Sequence, residues 1–224
     1  MTDDVPTTAS DRGRATQLTI PAGGITATSV QVDYSTLSGN RPRTYGNSVA
    51  VYQAGPDLPS NGAPLMVQPA PDDAEAGSLT FTDLQIRSTS YLVAYAVGND
   101  AGTAFSAANV CATTFIPAGA DATGDHVDAA PSISITAVAS DSIVVAYAMP
   151  PGQLPQTNGH RLCIWQSASP SYSGRPLAVQ QITSDRSTGY QVCQLMLFRG
   201  TTYTIAYVAG PRPTDIACST SFTT

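Results

Sequence analysis

TSYLVAYAVGN (residues 89–99) returns 112 residues later as TTYTIAYVAGP (residues 201–211). In the first copy no residue between the tyrosines is polar, and in the second only Thr204 is. A β-strand with one face in water alternates apolar with polar side chains, because successive residues point to opposite faces. If Tyr91, Val93, Tyr95 and Val97 point into a core, then Leu92, Ala94 and Ala96 point out of it, and no solvated face remains. The second copy sends Tyr203, Ile205, Tyr207 and Ala209 inward and leaves Thr204, Ala206 and Val208 outside.

Working outward from this stretch, the match extends over nearly the whole chain. At an offset of 113, Ser29, Val32, Tyr34, Gly39, Pro42, Gly46 and Gln53 meet identical residues, from Ser142 to Gln166. One residue then drops out, and at 112 the identities run from Pro64/Pro176 through Leu65/Leu177, Val67/Val179, Gly77/Gly189 and Tyr91/Tyr203 to Gly98/Gly210. After a further deletion Cys111, Thr113 and Phe115 meet Cys218, Thr220 and Phe222. The chain is a tandem duplication, and a repeat of this length is one domain rather than one turn of a solenoid. The division predicted is an N-terminal arm over 1–16, loosely attached, a first unit over 17–116, a linker over 117–131 and a second unit over 132–224.

Each unit holds short runs rich in Val, Ile, Thr and Tyr, separated by turn clusters such as LSGNRPRTYGN and PAPDDAEAG. That is the pattern of an antiparallel β-sandwich. Composition agrees. Charged residues make up 12 %, against about 25 % in an average globular chain, so Ser, Thr, Gln and Asn must cover the surface. All ten basic residues are Arg and Glu75 is the only Glu, which removes the residues that populate exposed helices. The lack of Lys fits GC-rich codon usage or selection against ubiquitin-acceptor amines.

SIVVAYAMPPG (residues 142–152), NGHRLCIWQ (residues 158–166) and YLVAYAVGNDAGTAFS (residues 91–106), with an apolar residue seven before Tyr91, resemble a fibronectin type III module. The resemblance covers both repeats and implies two tandem immunoglobulin-like sandwiches. It departs where Tyr34 and Tyr147 stand in the place usually held by Trp, which leaves other immunoglobulin-like topologies open. It also implies that Tyr91 and Tyr203 open the sixth strand as tyrosine-corner residues, the ring buried and the hydroxyl bonded to nearby backbone.

In the third strand Val49, Val51 and Gln53 share one face while Ala50 and Tyr52 share the other, where the second unit has Cys163 and Trp165. The outward face of unit 1 therefore collects Ala50, Tyr52, Leu92, Ala94 and Ala96, and that of unit 2 Cys163, Trp165, Ala206 and Val208. Monomers rarely expose so large an apolar patch. A covering contact is expected, within the chain or between copies as a homo-oligomer, with a foreign ligand as the further option.

Catalytic patterns are not recognisable. His126 lies in the linker, and His160 precedes Cys163 by three, which puts the two on opposite faces of a strand. The cysteines at 111, 163, 193 and 218 show no metal-ligand spacing, and four free thiols are expected, with a Cys163–Cys193 bridge as the alternative in an oxidising compartment. Asp121, Asp125 and Asp128 around His126 are a candidate calcium cluster; otherwise no metal and no cofactor is expected. A net charge of −6 with scattered Arg offers no basic stripe for nucleic acid, and no apolar run reaches the roughly 20 residues that span a bilayer. The first residues lack a secretory signal, which fits a cytosolic chain, export by another route or a processed form. Loops at the ends of a sandwich carry recognition, and Arg43, Tyr45, Tyr172 and Arg175 are the candidate contact residues. Together these readings predict a non-catalytic interaction protein that binds a protein or glycan and self-associates through its apolar sheet face. The alternatives are an enzyme-accessory module, or a secreted toxin or effector whose site sequence cannot assemble.

Overall fold

Strand β1 (Arg14–Ala15) opens the computed structural model, which describes residues 14–60, 62–98, 105–121 and 124–224. Unit 1 follows with β2 (Gln17–Thr19), β3 (Val30–Ser35), β4 (Ser48–Tyr52), β5 (Met66–Pro69), β6 (Ala76–Phe81), β7 (Tyr91–Ala96) and β8 (Val110–Ile116). After β9 (Val127–Ala129), unit 2 repeats the series as β10 (Ser132–Val138), β11 (Ser142–Ala148), β12 (Arg161–Trp165), β13 (Ala178–Gln181), β14 (Thr188–Gln194), β15 (Thr202–Val208) and β16 (Ile216–Thr223). Unit 1 packs the sheet β2-β3-β6 on a sheet ordered β5-β4-β7-β8-β9; unit 2 packs β10-β11-β14 on β1-β16-β15-β12-β13. All pairings are antiparallel. The fourth strand of each unit joins the sheet of the third, sixth and seventh, so each unit is a fibronectin type III-like sandwich rather than the constant-type immunoglobulin arrangement.

Two kinds of strand build these layers. β11 alternates half-buried with buried residues, as one wet face requires, whereas β4 and β7 are buried at every position. Val49, Val51, Val93 and Tyr95 enter the sandwich core, and Ala50, Tyr52, Leu92, Ala94 and Ala96 form a second buried cluster on the opposite side of the same strands. The tyrosines in the Trp position cost each unit a side chain on the neighbouring strand. Tyr34 pairs with Gly77 and Tyr147 with Gly189, and a Cβ at either glycine would lie 2.5 or 2.8 Å from the tyrosine hydroxyl. The corner tyrosines are in place: the Tyr91 hydroxyl accepts the Gln85 N–H and the Tyr203 hydroxyl the Phe198 N–H, both at 2.9 Å.

Strands β1 and β9 fall within the stretches expected as arm and linker, of which residues 1–13 of the arm lie outside the described residues. β1 precedes unit 1 but pairs with β16 of unit 2, Arg14 opposite Ser219 and Ala15 opposite Cys218. β9 precedes unit 2 but pairs with β8 of unit 1, Thr113 opposite Ala129 through Phe115 opposite Val127. Between β1 and β2 the buried Thr16 donates its N–H to Ala217 O at 2.9 Å before the chain crosses to unit 1. Each unit thus lends the other its leading segment, and one apolar cluster runs without interruption from Leu18 to Phe222.

Candidate interaction surfaces

The outward faces of the two five-stranded sheets are covered from within the chain. Leu37, in the loop after β3 of unit 1, packs on Cys163, Trp165, Ala206, Val208 and Ile216 of unit 2. The equivalent loop of unit 2, after β11, reaches back. Gly152 lies against the backbone of Leu58, so closely that a Cβ would sit 2.5 Å from Leu58 O, and the Leu58 N–H donates to Pro151 O at 2.9 Å. Leu58 in turn packs on Ala50, Tyr52, Leu92, Ala94 and Ala96. Of the two covers expected for this face, within the chain or between copies, the one present here is intramolecular. Each side chain of the size of Leu92 or Tyr52 gains about 1.5–3 kcal/mol from full burial, enough for the loops to be held there.

Several polar groups along this seam find partners across it. Gln153 Nε2 donates to Ala107 O (3.0 Å) and Val110 O (2.6 Å), while its Oε1 accepts from Asn158 Nδ2 at 2.8 Å. His160 Nε2 lies 2.7 Å from Ala108 O and Nδ1 2.9 Å from the Tyr207 hydroxyl. A carbonyl only accepts, so Nε2 carries the proton and Nδ1 takes the hydroxyl hydrogen. Burial pushes His160 down to about 4, so the ring is neutral, with both nitrogens occupied. Unit 1 places Asn47 at the same point, its Nδ2 donating to the Tyr95 hydroxyl at 2.9 Å. The fully buried Asp215 packs against Gly98 of unit 1 and is ion-paired to Arg212 at 3.2 Å; burial nevertheless raises its carboxyl above the usual range. Arg212 also donates to Tyr45 O across the seam at 2.5 Å.

The four loop residues divide. Tyr45 and Tyr172, each half-buried, stack on one another with centroids 5.5 Å apart and planes 8° from parallel, one from each unit. Arg43 and Arg175 flank the pair in sequence and are exposed, Arg43 donating to Pro71 O at 2.6 Å. The acidic cluster does not assemble: Asp128 accepts from Thr114 Oγ1 at 2.9 Å and lies 3.7 Å from His126, and no group of three metal-ligating side chains occurs among the described residues. The four cysteines are unbridged and buried, Cys163 on the outward face of its sheet and Cys193 in the core, which separates the pair proposed as a disulfide. Burial pushes the Cys111 thiol up to about 12 and that of Cys193 to about 11, so neither is a thiolate at neutral pH. No helix among the described residues is long and apolar enough to cross a membrane.

One surface escaped the sequence reading. The outward face of β3-β6 in unit 1 is polar: Asp33 accepts from Ser78 (2.6 Å) and Gln31 (3.4 Å), beside Thr80. The equivalent positions in unit 2 are Ala146, Tyr190, Val144 and Val192, in the same register. Tyr190 is 74 % exposed and Val192 44 %, followed by Met196 and Phe198, both above 60 %. The signal was present in the repeat alignment, at the positions where the two copies disagree.

No family model matches the chain, and no curated protein matches it. Among solved structures it is similar to the central fibronectin-III array of RIM-binding protein, at 15 % identity over 96 % of this chain and 70 % of that one, with a TM-score of 0.29. It is also similar to the FN1-FN3 domains of chicken CNTN1, at 17 % over 92 % of this chain and 63 % of that one (TM-score 0.29). A third is a DUF3823 family protein of Bacteroides uniformis, at 11 % over 87 % and 88 % (TM-score 0.30). Likeness at this level carries nothing beyond itself, and the architecture of the chain rests on its own sheet order: two fibronectin type III-like sandwiches in tandem.

Proposed function

We propose that the protein is a non-catalytic interaction module that binds a protein or glycan partner at a patch composed by both units, with Arg43, Tyr45, Tyr172 and Arg175 as its contact residues. The observation that carries this reading is the stacking of Tyr45 on Tyr172 across the seam, which fixes two loops and leaves an exposed guanidinium on each. Tyr and Arg recur at the centres of recognition surfaces because they bring large contact area and several donors at little entropic cost. A foreign partner there reads the relative placement of the two sandwiches, because neither unit alone carries the patch. Support for a non-catalytic role comes from the fate of the reactive groups. His160 spends both nitrogens on structure, and the four thiols are buried.

The test is binding to a glycan array and to a displayed peptide library by the wild-type chain and by the double variant R43A/R175A, whose substitutions lie on exposed side chains. The expected result is a bound class whose affinity falls at least tenfold in the variant while its melting temperature is kept. Binding that the variant leaves unchanged, or none in either library, contradicts the assignment.

A further inference from the structure

We infer that the outward face of β10-β11-β14 in unit 2 is the seat of a second copy of this chain, in a two-fold symmetric homodimer. This goes beyond the proposed partner patch, because it uses the opposite layer of the sandwich.

The face carries its own internal control. Gene duplication gave both units the same strands in the same register, yet Gln31, Asp33, Ser78 and Thr80 in unit 1 correspond to Val144, Ala146, Tyr190 and Val192 in unit 2. The divergence continues past the strand. By their bonds to Thr28 O and Ala27 O the buried Leu84 and Ile86 of unit 1 match Leu195 and Leu197, so the exposed Gln85 and Arg87 of unit 1 correspond to Met196 and Phe198, which are 63 % and 62 % exposed. The backbone is the same in both units: Leu195 and Leu197 donate to Asp141 O and Ser140 O as Leu84 and Ile86 do to Thr28 O and Ala27 O, so the chain stays extended beyond the strand, every second side chain faces out, and only the residue type there differs. Tyr190, Val192, Met196 and Phe198 thus lie on one line along the edge of the sheet, with the exposed Gln194 between Val192 and Met196.

Its two ends are complementary. At the Tyr190 end lies a cleft of about 630 Å³, lined by Tyr147, Ser184, Arg186, Thr188 and Tyr190. At the other end Met196 and Phe198 project. A two-fold axis near Val192 sets two such lines antiparallel, so that the protruding end of each copy meets the cleft of the other; this is the self-complementarity an isologous contact demands. Area and charge agree. The exposed parts of the four side chains come to on the order of 500 Å² per copy, so the pair buries roughly 1,000 Å², at the lower end of specific interfaces. The charged residues that border the line in sequence, Asp141, Asp185, Arg186 and Arg199, cancel, although the chain as a whole carries −6. Antiparallel copies bring the Asp185–Arg186 end of one against the Arg199 end of the other.

In unit 1 the corresponding edge is tied down: Gln68 on β5 reaches across to Thr80 O at 3.0 Å. The equivalent Gln180 turns to Gln181 O instead, and the Val192 carbonyl is met by the side chain of its own neighbour Gln191.

Light scattering on a sizing column and sedimentation velocity of the full chain, from low to several hundred micromolar, test the inference. The wild-type mass is expected to rise with concentration from 23.1 kDa towards twice that value. Y190S/V192T, which writes the residues of unit 1 onto unit 2, and F198S, at the other end of the line, are each expected to weaken the dimer at least tenfold while far-UV circular dichroism is unchanged. A mass that stays at 23.1 kDa throughout overturns the inference, as does a dimer that both variants leave intact. So does a monomer in which Y190S/V192T abolishes capture of a foreign ligand, since the face then belongs to that ligand. None of these outcomes bears on Arg43 and Arg175, whose binding test stands apart.

Discussion

His160 shows how one substitution between repeats changes the chemistry of a seam. Asn47 of unit 1 and His160 of unit 2 hold equivalent tyrosine hydroxyls, but only the imidazole is long enough to bridge onward, to Ala108 O of the other unit. Protonation would make both ring nitrogens donors, reverse the bond with the Tyr207 hydroxyl and place a charge in a site buried away from water. With the folded ring titrating at about 4 and the unfolded one near 6.5, the unfolded chain takes up the proton first. Stability is therefore flat above about pH 7 and falls as the pH drops through 6.5 towards 4. Between pH 7.5 and pH 5.0 the expected loss from this residue is about 2 kcal/mol. Asp215 acts with the opposite sign, since its raised carboxyl gains on acidification, but its window opens upward from 3.8. Urea unfolding at the two pH values checks this: H160N, which restores the residue of unit 1, is expected to lose this part of the slope, and an unchanged slope contradicts the assigned tautomer and burial.

At the scale of elements, β1 and β9 are the strands that matter and the ones sequence hides. Arg14–Ala15 and Val127–Ala129 are too short to carry a period, and the edge each joins belongs to the other unit, so nothing local announces them. The long strands were legible for the converse reason. β7 and β15 fail to alternate because both of their faces are buried, and that failure is written in Leu92, Ala94 and Ala206. What covers them was not written there, because Leu37 and Leu58 sit in loops with no pattern of their own. The apolar line on unit 2 was legible in principle, by asking where the copies differ rather than where they agree. The exchange of β1 makes a direct prediction. A chain beginning at Gln17 loses two ladder pairs and the buried Thr16 bond, an expected cost of about 2 kcal/mol in urea unfolding. Hydrogen exchange is expected to show the loss of protection confined to the amides of β16 around Cys218 and Ser219. Unchanged stability would mean that β1 does not hold.

For the whole molecule, duplication produced a pseudo-symmetric pair rather than two beads. Each unit gives the other a strand and a loop, the apolar cluster is continuous through both, and seam groups such as Gln153, His160 and Arg212 find their partners on the far side. A partner patch made of one loop from each unit is meaningful only if the units do not move apart, and the outward faces of the two five-stranded sheets are already covered inside the chain, which leaves the apolar line on unit 2 for association.

Equilibrium unfolding in urea, followed together by the emission of the single tryptophan, Trp165, under Leu37 at the seam, and by far-UV circular dichroism of all the strands, tests this welding most directly. The account predicts one transition, with the two signals superimposed at every urea concentration. A tryptophan signal that moves first while the β-sheet signal persists, or two separated transitions, would mean that the sandwiches part before they unfold, and would contradict it.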